Sequence, residues 1–407
     1  MLKAGARSII TLLTIFVLST CIEPYAPEIY GYASLLVVDG LITNENSSYT
    51  VKLSRTMQEN ISPEIVTDAV VFITDDSGNN FPLGNFGDGI YKTDSTQFTG
   101  IIGRTYTLNI ITSEGEVYKS DPCLMYDVPG IDSVFFEKDE ELVNNGTENT
   151  AGIRIYVRSE EGYDARYYRW DFEETWKFKI PNPSKLIYFS QLNIQPNPDV
   201  REYCWKNRNS DEILINRIYK GDSKRIEKMP VTFIASDKSD RLLLHYSILI
   251  RQFSVSQKEY EFWYNLSKVN KMGGDIFAAQ PYSVTSNLHS ENDPDKRVLG
   301  YFQVSAVSQK RKEIPFSEIV GLDLPFYHYP CIRIEDSPYI PPWSNYSPPL
   351  TWDDLHYMYT TSGYTFVEPK YIHATLILDR LVFTKIECSD CAMTGTITKP
   401  DFWVDMN

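Results

Sequence analysis

The chain has 407 residues, 42% hydrophobic and 14% aromatic, and carries 39 Lys and Arg against 54 Asp and Glu for a formal charge of −15. That apolar content excludes a disordered chain, and the acidic balance argues against a nucleic-acid partner, whose phosphates are held by clustered Lys and Arg. The length exceeds what one hydrophobic core organises and indicates two or three domains.

At the N-terminus, Lys3 and Arg7 precede "IITLLTIFVL", Ile9 to Leu18. This run falls far short of the ~20 apolar residues that span a bilayer, so residues 1–20 read as a signal peptide. It ends Leu18-Ser19-Thr20-Cys21, which resembles a bacterial lipobox with Thr20 in place of the usual Gly or Ala. Cleavage there makes Cys21 the mature N-terminus and the carrier of acyl chains, which anchor the protein at roughly 0.8 kcal/mol per buried methylene. The plainer alternative is a secretory signal followed by a chance cysteine. Residues 21–31 then form a lipidated tether, and the mature chain is more acidic still.

Residues 32–120 carry short strands punctuated by turns. "SLLVVDGLI" is an apolar strand interrupted at Asp39-Gly40, and "SYTVKLS" places Tyr49, Val51 and Leu53 on one face. "AVVFITDDSGN" runs into a turn at Asp75 to Gly78, and "RTYTLNIIT" alternates Tyr106, Leu108 and Ile110 before a glycine turn and "EVYKS". Such spacing predicts a β-sandwich. "GRTYTLNIITSEGEVYKS" resembles the last hairpin of immunoglobulin-like or prealbumin-like modules. Asp75, Asp76 and Asn79 are of the type that ligates calcium, but no ligand-rich loop follows them, so they read as a turn.

"SDPCLMYDVPG" has two prolines and a glycine, and residues 121–131 read as a linker to a larger β-rich domain, 132–407. There "YYRWDFEETWKFKI" puts Tyr168, Trp170, Phe172, Trp176, Phe178 and Ile180 on one face with Glu174 among them. A strand this long predicts a bulge near Glu173 or Glu174. Glu174 is then either a site residue facing a cleft or the partner of a nearby Arg, and the second reading is the ordinary one. A helix near 256–272 is signalled by a capping box, Ser256 with Glu259, by a staple of Val255 and Tyr260, and by the stripe Phe262, Leu266 and Val269 before Gly273-Gly274. The fold class is therefore mainly β: an N-terminal immunoglobulin-like or prealbumin-like sandwich, then a larger β-rich domain carrying at least one α-helix.

Residues 324–371 interleave prolines with aromatics, which suits either a Pro-stiffened recognition loop or an irregular lid over a sheet. Trp343, Tyr346, Trp352 and Tyr357 are its candidate binding residues, as stacking platforms for a sugar or as a patch for a protein partner.

Catalytic signatures are absent from the sequence. His245, His289, His328, His356 and His373 are scattered without HExxH or HxH spacing, and there is no GxSxG elbow, P-loop or GxGxxG turn. Cys388-Ser389-Asp390-Cys391 is metal-like, but zinc needs two further ligands and no second CxxC supplies them. Outside the cytoplasm these cysteines are expected in structural disulfides, with each other or with Cys331 or Cys204. The odd count after Cys21 leaves at least one thiol. Carboxylate pairs, Glu173-Glu174, Asp353-Asp354 and Glu335-Asp336, serve a glycosidase only where two flank a cleft. No metal and no cofactor are expected.

The lipobox cysteine, "LVVDGLIT", "YYRWDFEETW", "YCW", "YSILIRQFSVSQKEYEFWYNL", "IFAAQPYSV", "LGYFQVS" and "CSDCAMTGTITKPDFW" together resemble a family of Bacteroidota envelope lipoproteins built on a domain of unknown function. Its members are often encoded beside a TonB-dependent (SusC-like) receptor. The resemblance extends over nearly all of the mature chain and carries no catalytic residues. It implies a lipoprotein at the outer membrane, facing the cell surface, and a partnership with a nutrient-importing receptor. The expected function is a non-enzymatic accessory of such a receptor in nutrient capture or uptake. The alternatives are a surface hydrolase of polysaccharide or peptide and a structural or adhesion lipoprotein.

Overall fold

A computed structural model of the chain describes residues 34–56, 64–143, 148–162, 166–219, 224–272, 284–338 and 349–404. Among these, strands predominate and none of the sheets closes into a barrel. Among the described residues no helix is long and apolar enough to cross a membrane.

The N-terminal sandwich forms where period-two alternation places it. Tyr49, Val51, Leu53, Tyr106, Leu108 and Ile110 all lie in one core between two sheets. Strand Leu36–Ile42 is continuous through Asp39-Gly40 rather than interrupted there. Gly40 is a contact position, since a Cβ there would stand 3.1 Å from Val51 Cγ2 and 3.3 Å from the Phe302 ring. The Asp75 carboxylate accepts from the backbone of Ser77 at 3.0 Å and of Asn79 at 2.9 Å, and Gly78 takes φ +82°, which makes this segment a self-capped turn.

The sandwich is not confined to residues 32–120. Strand Leu288–Ser290 pairs antiparallel with Val117–Ser120, and strand Leu299–Val304 pairs in parallel with Leu36–Ile42. Both come from the region expected to belong to the second domain. A parallel partner must arrive by a long crossover, and local patterning does not reveal which earlier strand it joins. The expected linker is likewise bound in place. Cys123–Leu124 pairs with Thr105–Ile111, the Asp121 carboxylate meets Lys258 at 2.9 Å, and the Pro129 carbonyl accepts from Gln252 Nε2 at 2.8 Å.

A second sandwich follows. One sheet orders Ile131–Val143, Glu148–Ser159 and Met229–Ala235; the other orders Tyr203–Asn209, Tyr167–Lys179, His245–Val255 and Val307–Pro315, with Leu214–Arg217 also beside Tyr167–Lys179. Ile153, Ile155, Val231 and Ile234 of the first sheet share a core with Trp170, Phe172, Ile248 and Ile250 of the second. The expected bulge is missing: Tyr167–Lys179 pairs with His245–Val255 residue for residue from Tyr167↔Val255 to Lys177↔His245. Glu174 stays on the core face because cations and a hydroxyl meet it there. Arg241 Nη1 lies 2.8 Å from its Oε1, Arg208 Nη1 3.6 Å from its Oε2, and Tyr246 donates its hydroxyl at 2.6 Å.

The helix Gln257–Met272 starts at the predicted cap, where Ser256 Oγ accepts from the Glu259 amide at 3.1 Å. The reciprocal half of the box does not form, because the Glu259 side chain turns inward beside Arg169, Trp263 and Ser305. Phe262 packs on Tyr301 of the first sandwich, so this helix lies across the seam between the two. The predicted Gly273-Gly274 stop lies outside the described residues.

A third, smaller lobe gathers the hairpin Leu186–Ser190/Asn193–Pro196, the helix Trp352–Thr361 and the sheet Ile334–Asp336, Leu378–Lys385, Tyr364–Tyr371. Regular structure thus replaces part of the expected 324–371 loop. The helix is started by a capping box, with Thr351 Oγ1 accepting from the Asp354 amide at 3.1 Å and Asp354 accepting from the Thr351 amide at 2.7 Å.

Candidate functional site

Cys21, Trp343 and Tyr346 lie outside the described residues. Trp352 and Tyr357 are both on the lobe helix, but five residues apart they point about 140° away from each other. Trp352 is half-buried against a cluster that includes Leu355, Phe366 and Phe383, whereas Tyr357 is 69% exposed. The two do not form one aromatic platform.

The four candidate cysteines form two bridges, Cys204–Cys391 and Cys331–Cys388. The first ties the second sandwich to the C-terminal turns, and the second ties the end of strand Leu378–Lys385 to the segment before Ile334–Asp336. Tyr329 adds a third tether by donating its hydroxyl to Asp240 at 3.0 Å, where Trp176 Nε1 and Lys206 Nζ also converge at 2.9 and 2.7 Å. Among the described residues Cys123 is the remaining thiol, and burial pushes it up to about 12.

These bridges frame a pocket of about 250 Å³ lined by five stretches of the chain, within 184–188, 197–201, 356–360, 365–366 and 386–390. Strand Leu186–Ser190 supplies Tyr188, the lobe helix supplies His356, and the turn between the bridged Cys388 and Cys391 supplies Ser389. The Tyr188 and His356 rings stand 5.2 Å apart, with Phe366 at 5.7 Å from Tyr188. Tyr188 is 1% and Ser389 2% exposed. Tyr188 Oη, His356 Nδ1 and Ser389 Oγ are buried without a hydrogen-bond partner among the described residues. Other polar groups nearby are satisfied internally. Ser184 Oγ donates to the Phe366 carbonyl at 2.6 Å, and Arg201 at the rim is shared between Asp199 and Asp390.

Burial also sets the protonation of this pocket. It pushes the Tyr188 hydroxyl up to about 12 and holds His356 below its ordinary value against the opposing pull of Asp353, so both are uncharged at neutral pH. In the sequence His356 is one of five scattered imidazoles, and Tyr188 and Ser389 belong to no motif. Their only local signals are the apolar alternation around Tyr188 and the nearness of Ser389 to two cysteines, neither of which tells that they meet.

At least one member of each carboxylate pair considered for hydrolysis is held in a structural contact. Glu174 is enclosed by Arg241 and Tyr246, Asp354 caps the lobe helix, Glu335 pairs with Lys370 and Arg380, and Asp336 accepts from Tyr359 Oη at 2.8 Å. Among the described residues no group of three or more His, Cys, Asp or Glu is placed to hold a metal ion.

No curated protein matches the chain. Residues 22–311 match a family model described as a domain of unknown function, DUF4249. The match covers the first sandwich, the seam helix and the second sandwich up to the middle of strand Val307–Pro315, and includes Tyr188, while His356 and Ser389 lie beyond its end. With well over half of the chain matched, the protein belongs to the DUF4249 family.

Proposed function

We propose that this protein is a non-enzymatic lipoprotein of the outer membrane, anchored through Cys21 and exposed at the cell surface. It acts as an accessory partner of a TonB-dependent receptor in nutrient capture or uptake, with the disulfide-bridged lobe as its contact surface. The observation that carries this reading is the exposure of apolar side chains at two hairpin tips of that lobe. Leu192, between Leu186–Ser190 and Asn193–Pro196, is 98% exposed, and Leu376, between Tyr364–Tyr371 and Leu378–Lys385, is 95% exposed. Phe189 beside Leu192, and Ile372 and Ile377 beside Leu376, are exposed as well, so each tip presents a group of apolar side chains, which favours burial against a partner. Two disulfides fit an oxidising envelope compartment, and the lipobox-like segment before Cys21 fits an anchor.

The test is affinity recovery of the tagged protein from native outer membranes in mild detergent, followed by mass spectrometry. Stoichiometric co-recovery of a TonB-dependent barrel supports the reading. Recovery of the protein alone counts against it, and leaves the hydrolase and adhesion alternatives to be assayed on polysaccharides, peptides and surfaces.

A further inference from the structure

We propose that a groove on the outer face of the second sandwich, between strand Tyr167–Lys179 and the seam helix, binds a free α-amino acid by its ammonium and carboxylate groups. This inference goes beyond the receptor reading and does not depend on it.

The first reason is a pair of opposite charges left open on neighbouring strands. Trp170, Phe172 and Glu174 face the core, so Arg169, Asp171 and Glu173 alternate onto the outer face. Arg251 stands opposite Asp171 on strand His245–Val255 and donates Nε to it at 2.7 Å. Among the described residues its two Nη groups have no hydrogen-bond partner, and the side chain is 41% exposed. Glu173 is the diagonal neighbour of Arg251, half-buried, and among the described residues its carboxylate forms neither a hydrogen bond nor an ion pair. Arg311, across Leu249 from Glu173, is held by Ser247 Oγ at 2.9 Å and lies over the Phe402 ring at 3.5 Å. An open acceptor and an open fork of donors thus stand at the ~7–8 Å spacing of diagonal cross-strand positions.

The second reason is that only a zwitterion suits both charges. The groove is lined by Arg169 and Arg251 together with Glu173, Asp211 and Glu212. A simple anion is repelled by the acids, and a simple cation by the guanidinium groups. A neutral ligand leaves the open charges of Arg251 and Glu173 without counter-charges. The carboxylate of an amino acid accepts from the planar Nη fork of Arg251, and its ammonium donates to Glu173. In an α-amino acid both charged groups leave one carbon, which fits neighbouring strand positions better than the two ends of a long chain.

The third reason is space and surface. The groove holds about 480 Å³, within the ~300–1,000 Å³ of small-molecule sites. The turn 209–213 forms one wall with Ile213, and the seam helix forms the other with the half-buried Trp263 ring. The Arg169 guanidinium lies over the Phe253 ring at 4.4 Å and the Trp263 ring at 5.2 Å, which fixes Trp263 at the edge of the groove. These two walls favour an amino acid with an apolar side chain.

The experiment is isothermal titration of L-leucine, L-methionine and L-phenylalanine, separately, into the purified full chain at pH 7. The N-acetyl and amide forms of each, inorganic phosphate and D-glucose are titrated alongside. The expected result is saturable binding of at least one free amino acid, with its N-acetyl and amide forms each weaker by about tenfold or more. Glu173→Gln should weaken the free amino acid about tenfold but leave its N-acetyl form unaffected, and Arg251→Gln should weaken it but leave its amide unaffected, both at unchanged melting temperature. If Arg251→Gln unfolds, Glu173→Gln carries the test. No saturable binding of any of the three amino acids overturns the proposal. So does an N-acetyl or amide form that binds as tightly as the free amino acid, binding that both folded variants retain, or binding of phosphate or D-glucose with the same sensitivity to the variants.

Discussion

Tyr246, on strand His245–Val255, donates its hydroxyl at 2.6 Å to the carboxylate of Glu174, on the neighbouring strand Tyr167–Lys179, inside the core of the second sandwich. Arg241 closes the same carboxylate at 2.8 and 3.1 Å. Burial first, and then the Glu174 charge, push the Tyr246 hydroxyl well above its ordinary range, so it remains a donor at every physiological pH.

Removing Glu174 leaves Arg241, whose side chain is 14% exposed, without its fully buried counter-charge. Glu174→Ala is expected to cost roughly 3–5 kcal/mol of stability, and Tyr246→Phe a smaller amount of about 1–3 kcal/mol. Denaturant unfolding of the two single variants and the double variant measures both costs and their coupling. Additive effects would show that the contact is energetically idle.

Glu259 makes the seam between the sandwiches sensitive to pH. Burial pushes its carboxyl up to about 8 from the usual 4.5, with Arg169 pulling the other way. Because the folded value is the higher one, this group's contribution is full below about 4.5 and is lost as pH rises through about 8. The loss runs at roughly 1.4 kcal/mol per pH unit across that window. Melting temperature as a function of pH should fall more steeply for the wild type than for Glu259→Gln between pH 5 and 8. Parallel curves would contradict this.

The parallel strand Leu299–Val304 depends on one glycine. Gly300 takes φ +86°, and a Cβ there would lie 1.9 Å from the Val38 carbonyl oxygen across the pairing. Gly300→Ala should destabilise by at least about 1–3 kcal/mol and raise hydrogen exchange along Leu36–Ile42. Unchanged protection of that strand would mean that the downstream segment is not needed to complete the sandwich.

The lobe should loosen before the sandwiches do when its bridges are cut. The Cys331–Cys388 bridge spans 57 residues and Cys204–Cys391 spans 187. Replacing either pair by serine is expected to cost roughly 2–5 kcal/mol. Limited proteolysis should then cleave first within the lobe, and cleavage first within the N-terminal sandwich would contradict the assignment.

The strands and the seam helix were legible because their signals are local. Tyr106, Leu108 and Ile110 alternate on one face, and Ser256 caps the helix at the predicted position. Three features were not legible. The lobe helix starts at Thr351 with Asp354, a shorter acid than the usual Glu or Gln of a capping box, and its WDDLHYMYTT sequence has few strong helix formers. Strand Leu299–Val304 reads as apolar, but nothing near it names Leu36–Ile42 as its neighbour. The pocket joins Tyr188, His356 and Ser389 from segments far apart in the chain, and only the folded lobe brings them to one place.

The receptor reading rests on the two apolar hairpin tips, and one measurement addresses them directly: co-recovery of the TonB-dependent barrel from native outer membranes by wild type and by the Leu192→Glu/Leu376→Glu variant, both carrying Cys21. Both side chains are almost fully exposed, so their replacement should leave folding intact. The expected result is stoichiometric barrel with the wild type and a loss of about tenfold or more with the variant at equal membrane content and melting temperature. Equal recovery of the barrel, or no barrel with either protein, would contradict the assignment of this lobe as the receptor contact.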